Sequence, residues 1–305
     1  MARLLLSLTW IQLRITKAIV VLIIMALVAW KGSMRPTRHL NTVQTGHASS
    51  QAYVFYATQD MYTCSVLVNI HVLQNVLHTR HRIAVLVSGD ISADMRQRLE
   101  AANATVIEET PPPLHNDTSV PCWLEQILVL DSDQLIMRDL DDTFNTTDAD
   151  FAAPGAYWLD NKTISSTCML IRPSNALWAS VQQAMASIGN DVFDMDLVND
   201  LFRDQNHRLH GSYATLNSHW EDWNVPGWFN PVSTEKPKEQ RASAGDLDAL
   251  MAEAKIVQFT AVGKPWTYTV DNMQEKRPDA HPLLAQMWRQ WRTIAFETCP
   301  TRLFV

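Results

Sequence analysis

Apolar positions in this chain fall into short runs separated by stretches of helical period, and that alternation predicts an α/β sheet. Tyr53–Ala57 (YVFYA) reads as the first strand. Met61–Leu77 follows with apolar residues at 62, 66, 67, 70, 73, 76 and 77, one face of a helix. Ile83–Val87 (IAVLV) is a second strand, stopped by Ser88-Gly89-Asp90. Ala93–Ala102 reads as a short helix and Thr105–Ile107 as a third strand, after which Pro111, Pro112 and Pro113 break the order. Ile127–Leu130 (ILVL) is apolar throughout, as a strand covered on both faces is, and it runs straight into Asp131-Ser132-Asp133. Strands at Phe151–Ala153, Thr167–Ile171 and Lys255–Phe259 complete the pattern, with helices near Ala176–Ser187, Met195–Phe202, Asp246–Ala254 and Leu283–Phe296. No internal repeat is visible.

The N-terminus has a different pattern. Ala18–Trp30 is an uninterrupted apolar run between Lys17 and Lys31. Its 13 residues fall short of the ~20 that span a bilayer core, and the length also suits a signal-peptide core. No small-x-small cleavage site follows, Lys17 can snorkel, and Trp30 suits an interface. The expectation is a retained signal anchor, with a cleaved signal as the alternative. Residues 1–31 are then a cytosolic tail and anchor, 32–51 a polar stem, and 52–305 a lumenal domain. Four N-glycosylation sequons begin at Asn103, Asn116, Asn145 and Asn161, in keeping with a lumenal location.

Composition narrows the classes further. The 305 residues are 47% hydrophobic and 19% charged, enough to bury a sizeable core. Net charge is −7, of which the first 30 residues contribute +3 (Arg3, Arg14 and Lys17) and the remainder −10, so the basic footprint of a nucleic-acid binder is missing. Nine glycines against 14 prolines argue against a Gly-rich phosphate cradle as the main device. Cys64, Cys122, Cys168 and Cys299 are too scattered for a zinc ribbon and too few for a disulfide scaffold, and the sequence does not choose among their three pairings.

The candidate chemistry lies after the strand at Ile127–Leu130. Ligands of open α/β sheets collect at the carboxyl ends of the strands. Asp131 and Asp133, two apart in an extended chain, share a face and can approach one hard cation such as Mn²⁺ or Mg²⁺. A bare D-x-D is common in acidic turns; one at the end of a buried strand is a much stronger signal.

Six segments, in order, give the chain a specific resemblance: YVFYATQDMY (53–62), LVLDSDQLIMRDLDDTF (128–144), STCMLIRPS (166–174), DMDLVNDLF (194–202), YATLNSHWEDWN (213–224) and VQFTAVGKPWTY (257–268). Together they resemble the glycogenin-like retaining glycosyltransferases of family 8. They are most similar to the fungal branch of glucose N-acetyltransferases, or N-acetylglucosaminyltransferases. The resemblance implies a GT-A fold, a Rossmann-like mixed sheet flanked by helices. It also implies a UDP-sugar donor and a glycan acceptor. In this family the first-strand motif contacts the uridine, which implicates Ala57, Thr58 and Tyr62. The D-x-D falls on Asp131 and Asp133, and the diphosphate-binding motif on Gly263 and Lys264. Asp194 matches an acidic position facing the transferred sugar, with Met195 where an amide often stands; Asp194 and Asp196 also suit a helix N-terminus.

Two positions depart from the pattern. Gln258 stands where the family usually supplies a histidine as third metal ligand; its amide oxygen is a hard but neutral donor. Between Cys122-Trp123-Leu124 and Ile127 only Glu125-Gln126 remain, where the family carries a helix and a loop. The expectation is a Golgi type II membrane glycosyltransferase, single-pass with its catalytic part lumenal, that passes GlcNAc or a hexose to a glycan. Its rivals are a catalytically inactive lumenal binding or scaffold protein and, further off, a nucleotidyltransferase. Leu216–Arg241, with Trp220, Trp223 and Trp228, reads as an acceptor-side loop or an ordered aromatic cap.

Overall fold

The computed structural model describes residues 50–108, 124–187, 193–230, 241–260 and 263–304. The N-terminal apolar run, the stem, the proline loop, Asn116 and Cys122 lie outside the described residues. Among the described residues, no helix is long and apolar enough to cross a membrane.

Strand β1 (Gln51–Ala57) lies between β2 (Arg82–Val87) and β4 (Gln126–Leu130), parallel to both. Phe55 is level with Val85 on one side and Leu130 on the other. β3 (Thr105–Glu108) extends the parallel run beyond β2. On the far side β7 (Cys168–Ile171) is antiparallel to β4, followed by β6 (Phe151–Pro154) and β8 (His207–Leu209), so the large sheet is mixed. Its order is β3-β2-β1-β4-β7-β6-β8.

Both faces of this sheet are covered, which explains why ILVL lacks alternation. Tyr53, Phe55, Val85, Leu128 and Leu130 face a core shared with helix α1 (Asp60–His71) and the C-terminal helix. Val54, Ala84, Ile127 and Val129 face the other way, toward Trp178 and Val181 of α3 (Asn175–Ser187) and Val198 and Phe202 of α4 (Asp194–Phe202). Between these come α2 (Ala93–Ala101), capped by Ser92. The helix predicted over Met61–Leu77 divides in two: after His71 the chain widens into a π turn, Val72–Val76, in which Val72 and Leu73 both stay buried.

Asp131-Ser132-Asp133 carries the chain out of β4 into a second, three-stranded sheet. There β10 (Ile256–Gln258) lies between β5 (Gln134–Ile136), antiparallel to it, and β9 (Thr215–Leu216), parallel to it. After β9 come α5 (Ser218–Asp222), α6 (Ala244–Glu253), whose N-terminus is closed by the Ser243–Asp246 capping box, and α7 (Val270–Lys276), capped by Thr269. Helix α8 (Pro282–Thr298) opens with a proline in its first turn, under a His281 cap.

Cys64 of α1 and Cys299, just past α8, form a disulfide with Cα atoms 5.6 Å apart. One of the pairings the sequence left open is thereby fixed, and Cys168 is a buried free thiol. The tryptophans after β9 are ordered: Trp220 is fully buried and its indole N–H donates to Leu247 O at 3.1 Å, while Trp228 packs against Tyr157 and His210.

Candidate active site

The pairing of β1 with β4 places Tyr56 beside Asp131. Phe55 is level with Leu130, so the next residue of each strand points to the same face. The Tyr56 hydroxyl donates to Asp131 Oδ1 at 2.7 Å, and the Ser132 N–H donates to the same oxygen at 2.7 Å. Asp131 N–H donates in turn to Thr167 O at 3.0 Å, which docks the start of β7 against the turn.

From the small sheet comes the other half of the site. Gln258 is level with Gln134 across the β5–β10 ladder, and Phe259 N–H donates to Asp133 O at 3.0 Å. The Gln258 side-chain amide therefore reaches the acidic turn: its Nε2 donates to Asp133 Oδ1 and lies 3.4 Å from Asp131 Oδ2. Lys264 Nζ pairs with Asp133 Oδ2 and also donates to Phe259 O. Gly263 makes that approach possible. Its φ of +118° is open to glycine, and a Cβ there would lie 2.7 Å from the Tyr268 ring.

Asp194, the first residue of α4, accepts from Ser166 Oγ at 2.8 Å. The helix start is held by its neighbour instead, since Phe193 N–H donates to Asp196 Oδ2 at 2.8 Å. The two acidic residues, alike in local pattern, thus separate: Asp196 caps, while Asp194 bonds Ser166 and its charge reaches Asp131 and Tyr56. Asn199, one turn on, exchanges hydrogen bonds with both the N–H and the carbonyl of Ile164, fixing α4 to the segment that leads into Ser166.

Tyr62 stands on α1 and is half-buried, its ring 5.6 Å from that of Trp266, which in turn lies 5.5 Å from Trp291 of α8. Ala57 and Thr58 close the mouth of β1, their carbonyls accepting from Ser88 N–H (3.2 Å) and Ser88 Oγ (3.0 Å). Of the residues singled out in the sequence, Asp131, Asp133, Gln258 and Lys264 are joined by hydrogen bonds, Tyr62 and Asp194 lie within electrostatic reach of the acids, and Ala57 and Thr58 bond Ser88 instead. Sequence reasoning missed Tyr56, Ser166 and Asn199. Only Tyr56 had a usable signal, as the residue before Ala57 on a strand that must lie next to Ile127–Leu130.

Charge is concentrated here. Burial, then the neighbouring Asp133 carboxylate, push the Asp131 carboxyl up to about 8, and Asp194 adds to the effect. Tyr62 is raised by burial, Asp133 and Asp131. With the Gln258 amide turned so that its oxygen faces the two acids, the three side chains would offer the all-oxygen donor set that hard divalent cations take. Gln258 Oε1 is buried without a hydrogen-bond partner, while its Nε2 is the atom that faces the two acids. No group of three or more His, Cys, Asp or Glu side chains gathers for a metal among the described residues, so an amide would have to complete the set.

A mixed sheet with an acidic turn at the carboxyl end of its central strand is the architecture of the GT-A nucleotide-diphospho-sugar transferase fold. The solved galactosyltransferase LgtC, in complex with donor and acceptor sugar analogs, matches 82% of this chain and 96% of its own with a TM-score of 0.52 at 16% identity. No family model matches the sequence. Among curated relatives, glucose N-acetyltransferase 1 of Gibberella zeae is 31% identical over 163 residues, 51% of this chain and 34% of that protein. Glycogenin-1 of Oryctolagus cuniculus is 26% identical over 255 residues, 76% of this chain and 71% of that protein. The chain spans little more than a third of the length of the fungal relatives it matches. The chain is thus similar in sequence to the fungal glucose N-acetyltransferases over about half of its length and to glycogenins over about three quarters.

Proposed function

We propose that this chain is a retaining glycosyltransferase that moves GlcNAc or a hexose from a UDP-sugar to a glycan acceptor. The observation that carries the reading is the meeting of Asp131, Asp133, Gln258 and Lys264 at the carboxyl end of β4, with Asp194 beside them. Mn²⁺ or Mg²⁺ bound by Asp131, Asp133 and the Gln258 amide oxygen would offset the charge of the departing diphosphate. Tyr62 stacks on the base, with Ala57 and Thr58 at its edge. Lys264 meets the diphosphate as a point charge, and Asp194, steadied by Ser166, orients hydroxyls of the transferred sugar. Tyr56 holds Asp131 in place.

The setting we propose is the Golgi lumen, with residues 1–31 as a type II anchor. The Cys64–Cys299 disulfide supports an oxidising compartment, and Asn103, Asn145 and Asn161 are exposed, as acceptors of N-glycans must be. Donor turnover tests the function. UDP-GlcNAc and UDP-hexoses are incubated with a panel of glycans and Mn²⁺, and released UDP is measured for the full chain and for a double Asp131→Ala, Asp133→Ala variant. Turnover that the double variant keeps would sink the assignment.

A second reading has one observation in its favour. Gln258 and Lys264 occupy the acidic turn from within the chain, as they would in an inactive relative that keeps the fold as a lumenal scaffold. That protein would bind UDP or a glycan without turning over any donor in the same assay.

A further inference from the structure

The four carboxylate oxygens of Asp131 and Asp133 all have donors from the chain itself. Asp131 Oδ1 accepts from Tyr56 and Ser132, and its Oδ2 faces Gln258 Nε2 at 3.4 Å. Asp133 Oδ1 accepts from Gln258 Nε2, and its Oδ2 pairs with the Lys264 ammonium. The Gln258 amide presents its nitrogen to the acids and leaves its oxygen orphaned, the reverse of the orientation a cation needs. Lys264 is therefore an internal cation seated where a divalent ion would bind.

We infer that Lys264 is an exchangeable counter-ion: it occupies Asp133 when no donor is bound and moves to the diphosphate when a nucleoside diphosphate arrives. This rests on the reading of the site as a metal-assisted nucleotide-sugar site. Three features make the exchange feasible. The lysine and aspartate side chains are 25% and 17% exposed, so an arriving ion or diphosphate can reach the pair from solvent. Lysine is a flexible point charge, whose ammonium can swing between two anions without a fixed geometry. Phe259 O, the second acceptor on Nζ, is on the backbone and stays in place when the lysine leaves. Once Lys264 swings away, Asp133 is free to take the cation, and the Gln258 amide can turn its oxygen inward.

Metal and diphosphate binding should then be strongly and reciprocally coupled, because each removes the obstacle to the other. Removing the ammonium has opposite effects on the two ligands. The metal loses a competitor, while the diphosphate loses a partner.

The test is Mn²⁺ binding, followed by electron paramagnetic resonance on the full chain, with and without UDP. In the native chain UDP should tighten Mn²⁺ by about fivefold or more. In Lys264→Met, Mn²⁺ alone should bind about fivefold or more tighter than to the native chain, UDP alone should bind more weakly, and the coupling should shrink. Unchanged or weaker Mn²⁺ binding in Lys264→Met would overturn the exchange while leaving the metal site standing. Absence of Mn²⁺ binding to the native chain even with UDP would overturn both. A second measurement is independent of the variant's folding: amine labelling of native Lys264, read by mass spectrometry. Saturating Mn²⁺ should raise the labelling and UDP should lower it; labelling indifferent to Mn²⁺ overturns the exchange.

Discussion

The Tyr56 hydroxyl lies 2.7 Å from Asp131 Oδ1, joining the ends of two adjacent parallel strands by one side-chain bond. That bond fixes the carboxylate's rotamer from the sheet side, leaving its other oxygen to the site. Replacing Tyr56 with Phe keeps the ring and removes the bond. Such outer partners of a ligand typically matter by about 10- to 100-fold, so Tyr56→Phe should weaken Mn²⁺-dependent UDP binding by roughly that factor without unfolding the chain. Calorimetric titration of UDP with and without Mn²⁺ checks it, and unchanged Mn²⁺-dependent affinity would show that Asp131 needs no such support.

Removing either acid of the turn should go further. Asp131→Ala and Asp133→Ala should each abolish the Mn²⁺-dependent part of UDP affinity, because the cation bridges protein and diphosphate. If UDP affinity is indifferent both to Mn²⁺ and to Asp131→Ala, the metal assignment is wrong.

Gln258→His restores an imidazole at the third position. It should tighten Mn²⁺ and, in a site otherwise intact, raise turnover. Tighter metal without turnover would point to the missing segment before Ile127 as the cause of inactivity. If neither changes, Gln258 lies outside the coordination shell.

The disulfide joins residues 235 apart, between α1 and the end of α8. Its loss removes a large loop constraint from the unfolded chain, and typically costs about 2–5 kcal/mol. Cys64→Ser should therefore lower the denaturation midpoint, as should dithiothreitol on the native chain but not on the variant. Equal midpoints in oxidised and reduced native protein would refute this.

His219 contributes part of the pH dependence of stability, opposite in sign to Asp131, whose raised carboxyl favours the folded state as the pH falls. The His219 ring bonds Tyr157 OH at 2.8 Å and Asn224, and burial holds the imidazole below its ordinary 6.5, against the opposing effects of Asn224 and Asp222. The unfolded chain therefore takes up a proton that the folded chain resists. Its contribution to stability is complete above about pH 6.5 and is lost as the pH falls toward the depressed value. The difference in urea stability between the native chain and His219→Asn should therefore shrink from about pH 7.5 to pH 5. An identical acid slope in the variant would assign the effect to other groups.

The sheet was legible where apolar runs were long. YVFYA, IAVLV and ILVL are strands β1, β2 and β4 because covered strands need no alternation. β5 escaped notice because it is three residues long, directly follows an acidic turn and begins with a glutamine, although Gln134 is fully buried. β8 escaped because two of its three residues are polar and exposed. At the site, the D-x-D could be read from local pattern. Gln258 and Lys264 could not, since more than 120 residues separate them from the acids they touch; family resemblance alone pointed to them. Local pattern did not separate Asp194 from Asp196; resemblance alone singled out Asp194, and the Ser166 bond and the Phe193 cap tell the two apart in the structure.

The passage of the chain from the large sheet to the small one within Asp131-Ser132-Asp133 makes the site a seam. Tyr56, Asp131 and Asp194 belong to one side, Gln258 and Lys264 to the other, and Asp133 to the stitch between them. Ligand affinity then reports the alignment of two sheets as much as the identity of any ligand residue. A cavity opened beneath β10, for instance by Val257→Ala, would tilt one bank against the other and weaken binding with every contacting side chain still present. Screens for loss of activity should therefore recover core positions of the small sheet alongside the acids themselves.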